Sequence, residues 1–162
     1  MNAHPAVFLG LGSNLGDRRA QLETAVDRLE ERGVAVAARS ALYLTEPVGG
    51  PPQGWFLNQV IGAAATLPPE ALLDVCLGIE RELGRRRTVS EGPRTLDLDL
   101  LLYGSEVRRT VELTLPHPRM HERRFVLVPL VQIAPGAVHP VLGLTAAEML
   151  ERCPDRSQVR PF

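Results

Sequence analysis

Gly92-Pro93-Arg94-Thr95-Leu96-Asp97-Leu98-Asp99-Leu100-Leu101-Leu102-Tyr103 is the stretch on which the reading of the fold turns. From Thr95 onward it alternates with a two-residue period, which puts Leu96, Leu98 and Leu100 on one face of a strand and Thr95, Asp97 and Asp99 on the other. Same-face neighbours on a strand lie about 6.6 Å apart at Cα, close enough for two carboxylates to share one or two hard cations. A solvated strand face that happens to carry two acids has the same spacing, so periodicity alone leaves both readings open. Without a cation or an arginine beside them, one of the two acids would take up a proton. Arg94 supplies such a charge, and Arg85-Arg86-Arg87 precede it in a polar loop that runs to Glu91. Charge runs are usually solvated surface, but one placed between a helix end and an acidic strand favours an anion site.

Upstream, Leu67-Pro68-Pro69-Glu70 opens a helix with proline in its first turn, Leu72, Cys76, Ile79 and Leu83 form its apolar stripe, and Gly84 stops it. Phe56 to Thr66 and Val34 to Leu44 read as strands. Between them, Thr45 to Trp55 is too rich in Pro and Gly for regular structure and is long for a hairpin connection, which makes it a candidate lid or pocket wall. Trp55 and Phe56 fit the core at a strand entry. Asn58 shares a face with Phe56, however, and an aromatic face beside an amide would suit a flat heterocycle.

Ala6 to Leu11 reads as a buried strand ending in Gly10-Leu11-Gly12-Ser13-Asn14-Leu15-Gly16-Asp17. The third glycine falls one place late for a dinucleotide fingerprint, so the expectation is a tight turn into a helix capped by Asp17. Leu22, Ala25, Val26 and Leu29 give that helix its buried stripe, and Gly33 ends it.

Downstream, Gly104-Ser105 signals a hairpin, with Glu106 to Val111 expected to return antiparallel. Thr114 to Phe125 packs His117, His121, Arg119, Arg123 and Arg124 together. His117 and His121 are four apart, but Pro116 and Pro118 argue against the regular helix a zinc pair would need. Phe125 to Val131 reads as helical. Thr145 and Glu148 match a capping box, with Leu144 and Met149 as its staple, so a last helix should run to about Cys153. The order strand, helix, strand, strand, helix, strand predicts an α+β, ferredoxin-like βαββαβ core: an antiparallel sheet with helices, plus a C-terminal hairpin and helical extension.

At 162 residues the chain is large enough for one domain with a full core. Its formal net charge of -1 predicts no general affinity for nucleic acid or acidic membranes, and no apolar run would span a bilayer. Met1-Asn2-Ala3-His4-Pro5 has neither the basic flank nor the apolar core of a signal peptide, so a cytoplasmic protein with reduced Cys76 and Cys153 is expected. All 18 basic residues are arginine. Any phosphate recognition must therefore use guanidinium forks rather than a lysine.

Four motifs agree with one another: Gly12-Ser13-Asn14-Leu15, the Pro/Gly loop ending in Phe56-Leu57-Asn58, Gly92-Pro93-Arg94-Thr95-Leu96-Asp97-Leu98-Asp99, and Pro116-His117-Pro118-Arg119-Met120. In this order they resemble the 6-hydroxymethyl-7,8-dihydropterin pyrophosphokinase family over nearly the whole chain. The resemblance implies a single pyrophosphokinase domain over residues 1–162. Its activity would be transfer of the β,γ-pyrophosphoryl group of ATP to the pterin hydroxymethyl oxygen, with release of AMP, in folate biosynthesis. By the same resemblance Asp97 and Asp99 would hold two Mg²⁺ ions and serve catalysis together with Arg85 and Arg94. Arg87, Leu100, Thr114, His117 and Arg123 would bind ATP. Asn58 would hydrogen-bond the pterin edge, Phe56 and Phe125 would stack on its two faces, and Thr45 and Val48 would offer backbone groups. The expected partners are ATP and the hydroxymethyl dihydropterin, with no nucleic acid, no membrane and a monomeric chain.

The chain departs from the family pattern at Ser90-Glu91, where an Arg-Trp pair is usual, at Phe56 for a frequent tyrosine, and at Glu112 for an adenine-side arginine; Glu80 matches a frequent acid, and a structural pairing with a nearby arginine is the equal alternative. A different Mg²⁺-dependent phosphoryl transferase or phosphohydrolase would use the same acids and would release ADP or phosphate instead of AMP. A non-enzymatic RNA-binding module is disfavoured by 4% aromatic residues and the slightly negative charge.

Overall fold

Strand alternation sorts the first residues of β5 (Asp97–Tyr103) as the sequence predicts, through Leu100, before a bulge shifts the register against β1. The computed structural model describes residues 6–84 and 95–162. In chain order, β1 (Ala6–Ser13), α1 (Arg18–Glu31), β2 (Val34–Arg39), β3 (Tyr43–Thr45), β4 (Phe56–Ala65) and α2 (Pro69–Glu82) lead into β5. Beyond it come β6 (Arg108–Arg109), β7 (Thr114–Leu115), α3 (Arg124–Ile133), α4 (Ala146–Arg152) and β8 (Val159–Pro161). The main sheet runs β5-β1-β4-β3-β8 with β2 also on β4, and every pairing in it is antiparallel. This is the expected βαββαβ core, with its second strand in two pieces.

That break corrects the expectation of one strand over Val34–Leu44. At Ser40 the backbone N–H still donates to the Val60 carbonyl (2.9 Å), but the Val60 N–H donates to the Ser40 hydroxyl (3.0 Å) instead of to a backbone carbonyl. The hydroxyl takes a ladder position, so the chain can turn between β2 and β3 without orphaning a buried donor. A second correction concerns the hairpin after Gly104. Residues Arg108 and Arg109 pair with Leu115 and Thr114 in a separate two-stranded sheet, not with β5. β5 is instead met by the His117 N–H, which donates to the Leu101 carbonyl (2.9 Å).

Two cores divide the faces of the sheet. Leu9, Leu11, Leu57, Ile61, Leu96, Leu98 and Leu100 pack with Leu22, Ala25, Val26 and Leu29 of α1 and Leu72, Cys76 and Ile79 of α2. Both helices sit where their apolar stripes predict, and Asp17 caps α1 by accepting from the Ala20 N–H at 3.1 Å. Complete burial of leucines such as Leu9 and Leu96 stabilises by about 1.5–3 kcal/mol each. On the other face, Val60, Leu101 and Leu102 pack with Met120, Val126, Leu127 and Leu130 and with Met149 of α4. The α4 capping box forms as expected, with the Glu148 N–H donating to the Thr145 hydroxyl (3.2 Å) and the Thr145 N–H donating to the Glu148 carboxylate (2.9 Å). Since α3 and α4 reach only part of this second face, the rest of it stays open, and the polar residues gather there.

Candidate active site

Register decides what lies on the open face. Gly12 pairs with Asn58 on one side and Asp97 on the other, and Gly10 pairs with Val60 and Asp99. Tyr43 opposite Asn58 and Thr45 opposite Phe56 complete the rows on β3. Directly paired residues project to the same side of a sheet. One face therefore carries Thr45, Phe56, Asn58, Asp97 and Asp99 around two strand glycines that contribute no side chain.

Gly10 and Gly12 thus lie inside β1, which corrects their reading as part of a turn. A Cβ on Gly12 would sit 2.5 Å from Asn58 Oδ1, nearer than non-bonded atoms tolerate. The amide of Asn58 lies across the glycine, and its Nδ2 donates to the Thr45 hydroxyl at 2.6 Å. Thr45 and Asn58 are both buried.

Two clefts meet at the aspartates, the first over this face and the second along the outer edge of β5 beside α2. The first is lined by Gly10, Gly12, Thr45, Glu46, Val48, Gln53, Phe56 and Asn58 on one side and by Arg123, Phe125 and Val126 on the other, with Asp97 and Asp99 at its end. The second is lined by Leu73, Leu77, Glu80, Leu98, Leu100, Glu112, Leu113, Thr114, His117 and Pro118, and again by Asp97 and Asp99. The two aspartates belong to both clefts. Thr45, Val48, Phe56, Asn58 and Phe125, expected to bind one substrate, come together in the first cleft; Leu100, Thr114 and His117, expected to bind the other, come together in the second. Arg123, grouped with the ATP residues from sequence, lines the first cleft, with its guanidinium 5.5 Å from the centre of the Phe125 ring. Arg85, Arg87 and Arg94, and Ser90-Glu91, lie outside the described residues.

The loop over the first cleft is tied down at its end. Asn14 Nδ2 donates to Gln53 Oε1 (2.8 Å) and to the Gly54 carbonyl (3.0 Å), and Arg18 Nη1 donates to the Trp55 carbonyl (2.9 Å). Glu46, Gln53 and the glycine pair are site features that sequence reasoning missed. The visible signal was two glycines spaced i, i+2 inside an apolar strand, the spacing of one strand face.

Glu80, left open from sequence, is buried, and its Oε2 accepts the Leu98 N–H at 2.7 Å. It holds the outer edge of β5 at the residue between the two aspartates. Burial pushes the half-buried His117 down to about 4, with Arg123 and Arg119 adding to the shift and Asp97 opposing it. Its Nδ1 accepts the Arg119 N–H at 3.2 Å, so the neutral ring carries its proton on Nε2 and can donate there. Burial likewise pushes the Cys76 thiol up to about 12, helped by Glu80 and Asp99, so it stays protonated and structural.

The chemistry of the donor set suits Mg²⁺. Among the described residues no group of three or more His, Cys, Asp and Glu could hold a metal by itself. Mg²⁺ is commonly bound by one or two carboxylates, with substrate phosphates and water completing its shell, and Asp97 and Asp99 provide such a pair.

Comparison with known proteins bears on the same residues. The chain is 47% identical over 146 residues to the 2-amino-4-hydroxy-6-hydroxymethyldihydropteridine pyrophosphokinase of Methylorubrum extorquens, covering 90% of this chain and 91% of that one. It is 47% identical over 127 residues to the protein of that name from Bacillus subtilis, covering 78% and 76%. It is also 40% identical to the Folic acid synthesis protein fol1 of Pneumocystis carinii, covering 97% of this chain but only 22% of that much longer protein. Among solved structures, Plasmodium falciparum HPPK-DHPS with pteroate shares the fold at a TM-score of 0.72 and 14% identity, covering 91% of this chain and 42% of that one. Residues 8–135 match the model of the 7,8-dihydro-6-hydroxymethylpterin-pyrophosphokinase (HPPK) family, a span that holds the glycine floor, both aspartates and both clefts, and the chain belongs to that family.

Proposed function

We propose that this chain, as a single domain, transfers the pyrophosphoryl group of ATP to the hydroxymethyl oxygen of 6-hydroxymethyl-7,8-dihydropterin, giving AMP and the dihydropterin diphosphate in folate synthesis. The observation that carries the reading is the sharing of Asp97 and Asp99 by two adjoining clefts of different character. One is a narrow slot with a glycine floor, aromatic rings and a fixed amide, suited to a flat heterocycle. The other has apolar walls and a neutral histidine.

The pterin ring lies over Gly10 and Gly12 between Phe56 and Phe125, and offset stacking sets its plane. Asn58, fixed by its bond to Thr45, presents Oδ1 to an N–H on the pterin edge, and backbone groups of Thr45 and Val48 read the remaining edge. ATP occupies the second cleft, with Leu100 against its base and with Thr114 and His117 Nε2–H donating to it. Arg123, from the side of the pterin cleft, and Arg85, Arg87 and Arg94, carried over from the family motif, bring charge to the phosphates. The hydroxymethyl oxygen then attacks the β-phosphorus and gives up its proton to solvent as the O–P bond forms, the bond from the β-phosphorus to the oxygen bridging it to the α-phosphate breaks, and AMP leaves with that oxygen. Asp97 and Asp99 would hold two Mg²⁺ ions, whose chemistry is to neutralise phosphate charge and fix its geometry. Everything else the residues contribute is positioning and exclusion of water, which is most of what phosphoryl transfer requires.

The buried, unpaired thiols of Cys76 and Cys153 support a reducing, cytoplasmic setting. The test is nucleotide analysis after incubation with ATP, Mg²⁺ and the hydroxymethyl dihydropterin, with a no-pterin control. Pterin-dependent AMP is expected; ADP or inorganic phosphate as the product would overturn the reading.

A further inference from the structure

The last strand, β8, pairs with β3, which carries Thr45 of the first cleft. Its register on β3 sets Val159 opposite Thr45 and Arg160 opposite Leu44. One residue further, the Glu46 N–H donates to the Gln158 carbonyl (3.0 Å), and the Gln158 N–H donates to the Glu46 carboxylate (2.9 Å). Glu46 lines the cleft, and Thr45 beside it orients Asn58. At the other end of the same loop, the Arg160 guanidinium stacks 5.2 Å from the centre of the Trp55 ring, and its Nη2 donates to the Gln158 side-chain oxygen. Trp55 immediately precedes Phe56 on the cleft wall. Gln158 and Arg160 therefore grip the first and last residues of the loop spanning 46–55, with the glycine-rich tip, Gly49 and Gly50 at φ 73° and 71°, left between them.

We propose that β8 acts as a clamp on the pterin loop, with Gln158 and Arg160 as positioning residues that set pterin affinity without touching either substrate. Both ends of the loop must be held for Val48 and Phe56 to stay at pterin-binding distance, because a loop pinned at one end loses ordering entropy again on binding. This inference rests on the assignment of the first cleft to the pterin. None of these contacts reaches the residues of the second cleft, so the effect is confined to one substrate.

The experiment compares the unaltered chain with Arg160→Ala, Arg160→Lys and Gln158→Pro, the last of which removes the N–H donated to Glu46. Steady-state KM for pterin and for ATP, kcat and melting temperature are measured for each. Loss of the stacked cation should raise the pterin KM about 2- to 5-fold, and lysine should restore part of it. Gln158→Pro should raise it about tenfold, the worth of one charge-assisted hydrogen bond. ATP KM should stay within about twofold throughout, since a factor of ten needs about 1.4 kcal/mol of lost contact that this site does not make. Unchanged pterin KM in Arg160→Ala and Gln158→Pro, or equal rises in both KM values tracking a lower melting temperature, would overturn the clamp alone. Failure of the unaltered chain to bind or turn over pterin would overturn the cleft assignment and the clamp with it.

Discussion

Asn58 Oδ1 occupies the space that a side chain on Gly12 would need: a Cβ placed on Gly12 lies 2.5 Å from it. The amide proposed to read the substrate edge and the glycine that floors the slot are one device, built on β1 and β4. Gly12→Ala should therefore push Asn58 off the Thr45 hydroxyl, raising the pterin KM roughly tenfold or more, the worth of one buried hydrogen bond left unmade. Stability should drop by about 1–3 kcal/mol, as for other overpacked sites. Gly10→Ala is the matched control for stability, because its Cβ would first meet Leu101, at 3.6 Å, an ordinary contact. Equal melting temperatures for the two variants would contradict this account.

Glu80 should act through β5. Glu80→Ala removes the acceptor of the buried Leu98 N–H, so unfolding free energy should fall by about 1–3 kcal/mol and turnover should fall with it as the aspartate-bearing edge loosens. Glu80→Gln keeps an acceptor and should recover part of both. Chemical denaturation and kcat on the same preparations test the pairing; alanine and glutamine variants of equal stability would argue that the bond to Leu98 carries no weight.

Beside His139, also lowered by burial, His117 gives stability one component of its pH dependence. Its ring takes up a proton near 6.5 when unfolded but only near 4 in the folded chain, so between those values protonation favours the unfolded state. Its contribution is intact above pH 6.5 and is lost progressively as the pH falls toward 4. His117→Gln should flatten the fall in unfolding free energy across that window relative to the unaltered chain. Identical pH profiles for the two proteins would remove this origin.

Much of this arrangement can be read from local pattern. The alternation from Thr95 to Leu100 places both aspartates, because strand period and burial agree there. The caps at Asp17 and Thr145 and the stripes of α1 and α2 follow from residue type at fixed offsets. What stays illegible depends on partners distant in sequence. Nothing in Val159-Arg160-Pro161 announces a strand until Thr45 and Tyr43 stand beside it. Ser40 looks like one more residue of a continuous strand until its hydroxyl meets the Val60 N–H. Gly10 and Gly12 resemble a turn by composition, and only the pairing of β1 with Asn58 and Asp97 shows that their missing side chains make a floor. The described site residues named from family motifs are grouped by the fold into two clefts, a division that spacing along the chain does not encode.

Asp97 and Asp99 are the point on which both clefts and the proposed chemistry depend. The most direct measurement is the rate of pterin-dependent AMP formation by Asp97→Asn and Asp99→Asn at saturating ATP, Mg²⁺ and pterin, alongside pterin affinity and melting temperature. These substitutions keep side-chain volume and remove charge from half-buried positions. Turnover should fall by about a hundredfold or more, as for loss of a principal electrostatic contact in a transition state. Pterin affinity measured without ATP and Mg²⁺ should stay within about threefold, since the first cleft keeps its floor, rings and amide. AMP formation within about tenfold of the unaltered chain in either variant, with folding intact, would contradict the assignment of these two carboxylates as the shared centre of the site.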